Sequence, residues 1–115
     1  MIHHIHSITK GVKNKIAILG DMFELGENAV RYHEKLALII KRQKIDEVYS
    51  IGMLMKNLHM KLENMNILSR HFKVRKSLTN FINKMDFTNS IILVKGSRGM
   101  KMENFVNAIK SGVKK

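Results

Sequence analysis

The run "SIILVKGSRGM" (residues 90–100) restricts the fold more than any other stretch of the chain. Ile91 to Val94 are apolar without interruption, which leaves no polar alternate face for solvent, as expected of a strand covered on both sides. Such strands belong to parallel sheets, whose crossovers are usually helices. The rest of the chain supplies the partners. "KIAILG" (15–20) and "EVYSIG" (47–52) are short strand-like runs that end in glycine, and "NILSRHF" (66–72) is a weaker one. Between and after them, residues recur at helical spacing. Val30, His33, Leu36, Ala37 and Ile40 share a face over residues 27–44, and Leu54, Leu58 and Leu62 follow the second run. Leu78, Phe81, Ile82 and Met85 precede the run at 90–94, and Met102, Phe105, Val106, Ile109 and Val113 come after it. Glu27 in the first turn of the long helix and Lys41, Arg42 and Lys44 in its last suit the helix dipole.

This alternation predicts right-handed βαβ units. The expected fold is α/β, a Rossmann-like three-layer sandwich with a mainly parallel sheet and helices on both faces. The opening "MIHHIHSITK" puts Met1, Ile5 and Ile8 at helical spacing and stops at Gly11, so a helix is expected there with no strand ahead of it.

The chain has 115 residues, no proline and no low-complexity linker, so residues 1–115 are read as a single domain. Without cysteine there is neither a disulfide framework nor a thiolate zinc site. No apolar run approaches the roughly 20 residues of a membrane span, and the start lacks the pattern of a signal peptide. A cytoplasmic protein with no membrane partner is expected. The charge of +12, from 21 basic and 9 acidic residues, suits a polyanion or a phosphorylated substrate. The cations are spread from Lys10 to Lys115 with no run longer than two, however, which favours solvated side chains over a nucleic-acid footprint.

Ligands of open parallel sheets collect at the carboxyl ends of the strands. In "GDMFELGE" (20–27), Asp21 and Glu24 stand where they serve either of two roles. They bind a ribose hydroxyl, an ammonium or a cation, or else Asp21 caps backbone amides while Glu24 is solvated. In "KGSRGM" (95–100), Gly96 admits close backbone approach, Ser97 offers a hydroxyl, and Lys95 and Arg98 supply two cations within four residues. With the next helix expected to aim its amides at the same point, the loop suits a carboxylate or phosphate. The ordinary alternative is a tight turn with solvated cations. GxxxxGK[ST], GxGxxG, GxSxG and HExxH are all absent. His3, His4 and His6 lack an accompanying carboxylate, so no metal site is expected.

Taken together, "KIAILGDMFELGENAVRYH" and "ILVKGSRGMKMENFV" resemble the carboxy-terminal domain of a Mur ligase. The pattern is carried by Gly20, Asp21, Met22, Glu24, Leu25, Gly26 and His33, and later by Lys95, Gly96, Ser97, Arg98, Met102 and Glu103. The resemblance is to the branch of that family that adds D-alanyl-D-alanine to UDP-muramoyl tripeptide, and it covers nearly the whole chain. It implies an ATP-dependent amide ligase of cell-wall synthesis with three domains. ATP and Mg2+ are bound mainly by a central domain that this chain does not include. The amine of D-alanyl-D-alanine attacks the phosphorylated tripeptide carboxylate, and the third domain closes over the nucleotide. Lys95, Gly96, Ser97 and Arg98 would then meet anionic substrate groups, with Asp21 and Glu24 orienting the attacking ammonium or bridging to the nucleotide. The family's first strand and its Asn-Ala-Asn-Pro-like motif are missing here. A truncated piece is therefore expected, inactive and without bound cofactor by itself, with an exposed sheet edge open to self-association. The rival is a small RNA- or DNA-binding module using "GSRG" as a GxxG clamp, against which stand the strand-like run before it and the scarcity of aromatics. A third reading is a stand-alone α/β oligomerisation piece.

Overall fold

The computed structural model describes residues 2–6, 14–22, 29–87 and 89–113. Strand β2 (Asn14–Gly20) shows how the sequence builds the layers. Its inner residues are buried on both faces, so Ile16 and Ile18 enter one core while Ala17 and Leu19 enter another. Helices α1 (Ala29–Arg42) and α2 (Met55–Asn64) cover the second core, through Leu36, Ala37, Ile40, Met55, Leu58 and Leu62. Helices α3 (Arg75–Lys84) and α4 (Glu103–Val113) cover the first, through Leu78, Ile82, Phe105, Val106 and Ile109. Strands β3 (Glu47–Ile51), β4 (Leu68–Phe72) and β5 (Ser90–Lys95) complete the parallel part of the sheet. The expected α/β sandwich, with helices on both faces of a mainly parallel sheet, is the observed one.

The sheet order is β1-β5-β2-β3-β4, with Ile16 opposite Glu47 on one side of β2 and opposite Ile92 on the other. From β2 the chain runs outward to β3 and β4, then crosses back to lay β5 on the far side of β2.

Three expectations need correction. The opening segment is no helix. Ile2–His6 forms β1, antiparallel to β5, with Ile2 opposite Lys95 and His6 opposite Ile91. A helix of about ten residues is marginal alone, whereas β5 offers a full row of backbone partners. The strand β5 is not equally covered on its two faces. Ser90, Ile92 and Val94 are buried beneath α4, while Ile91, Leu93 and Lys95 on the α1 side are half-buried. In α2 the inward stripe starts at Met55 rather than Leu54, which is the N-cap residue. Within helix α1, Leu36, Ala37 and Ile40 point inward as expected; Glu27 lies outside the described residues, as do the side chains of Val30 and His33.

Candidate functional site

The reversal of strand order between β5 and β2 makes a switch point, the place where crevices open in sheets of this kind. The loops leaving these strands are the two singled out from the sequence. They approach closely because both strands exit through glycine. A Cβ on Gly96 would stand 2.7 Å from Met102 Cγ and 3.3 Å from Gly20 Cα, and one on Gly20 would stand 2.7 Å from Met102 Sδ. Met102 is itself buried and closes the floor. The Ser97 amide donates to the Asp21 carbonyl at 3.0 Å, so one backbone hydrogen bond ties the two loops across the switch point.

The Asp21 side chain runs the other way. It is 4% exposed, and its Oδ1 accepts from the Met55 amide at 2.9 Å and its Oδ2 from the Leu54 amide at 3.2 Å. Helix α2 has no side-chain cap of its own at Leu54. A carboxylate from β2 therefore answers two of the amides a helix start leaves without intrahelical partners, and its charge suits the positive end of the dipole. Of the two roles open to Asp21, amide capping is the one its contacts display. Gly52 makes room for it: φ is +113°, and a Cβ there would lie 2.3 Å from Asp21 Cγ. The Gly52 carbonyl in turn accepts from His71 Nε2 on β4 at 2.7 Å. Hydrogen bonds thus run without a break along the carboxyl ends of β5, β2, β3 and β4.

Lys95, the last residue of β5, is held at this rim. Its ammonium donates to the Tyr32 hydroxyl at 2.9 Å and lies 5.6 Å from the centre of that ring, near the start of α1. Ser97 is buried, and its carbonyl accepts from the Met100 amide at 2.9 Å, which opens a 3-10 turn over Arg98–Met100. The backbone of Arg98 begins that turn; its side chain lies outside the description, as do Glu24 and Gly26. The helix expected directly after the loop starts later, at Glu103, so α4 does not aim its first amides from within "KGSRG". The intervening turn is braced from α3. The Arg75 guanidinium donates to the Met100 carbonyl and, at 3.0 Å, to the Lys101 carbonyl, and stacks 4.6 Å over the Phe105 ring. Lys101 has φ of +47°, a conformation that such a brace helps hold.

The structure thus brings Asp21, Lys95, Gly96 and Ser97 to one edge of the sheet. It adds Tyr32, Gly52, His71 and Arg75, which the sequence reading did not single out. Only Gly52 had a signal, as a glycine ending a strand; the others become visible once the strands are in register. The GxxG-like "GSRG" joins β5 to a 3-10 turn, so the helix–loop–helix clamp of the nucleic-acid reading is not formed. Among the described residues no group of three or more His, Asp or Glu is placed to hold a metal ion, and no helix is long and apolar enough to cross a membrane. The side chains of His3, His4 and His6 lie outside the description.

Solved structures share this fold. A MurF ligase from Acinetobacter baumannii superposes with a TM-score of 0.68 at 20% identity, over 89% of this chain and 22% of that one. A MurF ligase from Thermotoga maritima, solved in complex with ADP, gives 0.66 at 20% identity, over 88% and 22%. No family model matches the chain. In sequence the chain is 36% identical over 94 residues to the UDP-N-acetylmuramoyl-tripeptide–D-alanyl-D-alanine ligase of Rickettsia prowazekii, covering 82% of this chain and 21% of that protein. It is 33% identical over 118 residues to the ligase of the same name from Buchnera aphidicola of Acyrthosiphon pisum, covering 100% and 25%. The chain belongs to the Mur ligase family. The relatives it matches are the D-alanyl-D-alanine-adding ligases, and it spans about a fifth to a quarter of their length.

Proposed function

We propose that the chain is the carboxy-terminal domain of an ATP-dependent ligase that joins D-alanyl-D-alanine to UDP-N-acetylmuramoyl-tripeptide in peptidoglycan synthesis, in the cytoplasm. The observation that carries the reading is the placement of the "GDM" and "KGSR" loops on either side of the switch point, tied by the bond from Ser97 to Asp21. The chain contains no phosphate loop of the GxxxxGK[ST] type. ATP and Mg2+ are therefore assigned to a central domain, where the nucleotide supplies the phosphoryl group that activates the tripeptide carboxylate.

This chain's residues position the incoming dipeptide. Lys95 places an ammonium at the strand ends beside the Tyr32 hydroxyl, two donors suited to the free carboxylate of D-alanyl-D-alanine. Arg98 adds a second cation from the same loop, and Gly96 lets the backbone come close. Asp21 acts at one remove, by holding α2 and the Ser97 amide so that the loop keeps its shape. Glu24 is assigned to the attacking ammonium. By itself the chain catalyses neither ATP hydrolysis nor amide formation. Self-association is proposed through β4, which pairs with β3 alone among the described strands and exposes Leu68.

Steady-state ligation by the intact enzyme tests the assignment. Replacing Lys95 or Arg98 with alanine removes a charge-assisted hydrogen bond worth about 1.5–3 kcal/mol, which lowers kcat/KM for D-alanyl-D-alanine by about 10- to 100-fold. Unchanged kinetics in both variants would remove the loop from the reaction.

A further inference from the structure

We propose that the chain carries a second ligand site at the carboxyl ends of β3 and β4, a pocket of about 390 Å3 lined by Gly52, Met53, Lys56, His71 and Lys73 that takes a phosphate group. Among the described residues it shares no lining residue with the Lys95–Arg98 loop.

The lining chemistry selects for an anion. Lys56 and Lys73 carry ammonium groups, which only donate. His71 donates through Nε2 to the Gly52 carbonyl at 2.7 Å, since a carbonyl oxygen only accepts. That bond fixes the orientation of the imidazole in the wall. Among the described residues that line it none is acidic. The carboxylate nearest the Gly52 backbone is that of Asp21, and both its oxygens are taken by the Leu54 and Met55 amides.

The wall is also fixed before any ligand arrives. Gly52 at φ +113° packs closely against Asp21 and accepts a bond from His71, while His71 sits 6.0 Å from the His59 ring. His59 bonds Ser69 at 2.8 Å and pairs with Glu63 at 3.1 Å, so the second imidazole is anchored in turn. A wall that does not have to be ordered on binding loses less affinity to entropy than a mobile one. The volume falls within the range of small-molecule sites. Two lysines on a flat surface would merely be solvated; these two share a concave site with a fixed imidazole.

The test is an amide and imidazole NMR titration of the 115-residue chain at constant ionic strength, with inorganic phosphate, adenosine 5′-monophosphate and adenosine as separate arms. Saturable shifts are expected at Gly52, Met53, Lys56 and His71 with both phosphate-bearing probes, and none with adenosine. Tighter binding of the monophosphate assigns the site to a phosphate ester; tighter binding of inorganic phosphate assigns it to the free ion. Lys56→Gln with Lys73→Gln should weaken binding at least tenfold. Lys41→Gln with Lys110→Gln removes the same charge from exposed positions elsewhere and should change it less than twofold. Shifts that never saturate, or an equal loss in both double variants, would overturn the proposal by reducing the effect to the general charge of the chain.

Discussion

The loops after β2 and β5 carry the two most informative motifs of the sequence, yet they use their charges in opposite ways. Asp21 is buried and divides its carboxylate between the Leu54 and Met55 amides. Lys95 remains half-buried at the rim, bonded to one side-chain hydroxyl, with Arg98 three residues further along the loop. A buried carboxylate bonded to amides is costly to disturb, whereas a partly solvated ammonium on a tyrosine exchanges that partner for a ligand at little cost. The comparison teaches that the Asp21 carboxylate is framework, which leaves the proposed ligand contact to the basic motif, although sequence alone presents both as candidate ligand groups.

Substitutions break or sharpen this contrast in a definite order. Asp21→Ala strands one buried and one partly buried amide, so the chain should lose about 3 kcal/mol in chemical denaturation, with Asp21→Asn losing about half as much. Gly52→Ala comes next, at about 2 kcal/mol, because a Cβ would meet Asp21 Cγ at 2.3 Å and φ is +113°. Arg75→Met keeps much of the packing on Phe105 but abandons the Met100 and Lys101 carbonyls. A loss of about 1 kcal/mol is expected, together with new amide shifts across the 3-10 turn.

Tyr49 gives a smaller effect with a pH signature. Burial first, and then the Glu47 carboxylate that accepts its hydroxyl at 2.6 Å, push the Tyr49 hydroxyl well above its usual value of 10.0. The folded chain keeps this proton where the unfolded chain releases it. The contribution is therefore full below about pH 10 and shrinks as the pH rises beyond it. Wild type should exceed Tyr49→Phe by about 1 kcal/mol at neutral pH, and the gap should narrow above pH 10. Least affected is Lys95→Met, which should cost under about 0.5 kcal/mol of stability while impairing ligation by the intact enzyme.

What was legible in the sequence follows from which forces are local. The continuous burial of β2, the inward stripe of Leu36, Ala37 and Ile40, and the glycines ending β2 and β3 all express period and turn chemistry, and each was readable. The opening segment was misread because helical spacing over ten residues is weak beside the pairing that β5 offers. The half-open α1 side of Ile91, Leu93 and Lys95 was also hidden, since an apolar run reports a demand for burial and not whether a helix lies above it. At the candidate site, the turn through Gly96 and Ser97 after β5 was legible from its composition. The pairing of His71 with Gly52, and of Arg75 with the turn after "KGSRG", spans 19 and 25 residues of sequence and depends on strand register.

Native-state amide hydrogen exchange at Leu54, Met55 and Ser97 tests the framework role of Asp21 most directly. All three amides should be strongly protected in wild type. Leu54 and Met55 should lose that protection in Asp21→Ala, and none of the three should lose it in Lys95→Met. Fast exchange of Leu54 and Met55 in the unmodified chain, or their release on replacing Lys95, would contradict the division of labour between the two loops.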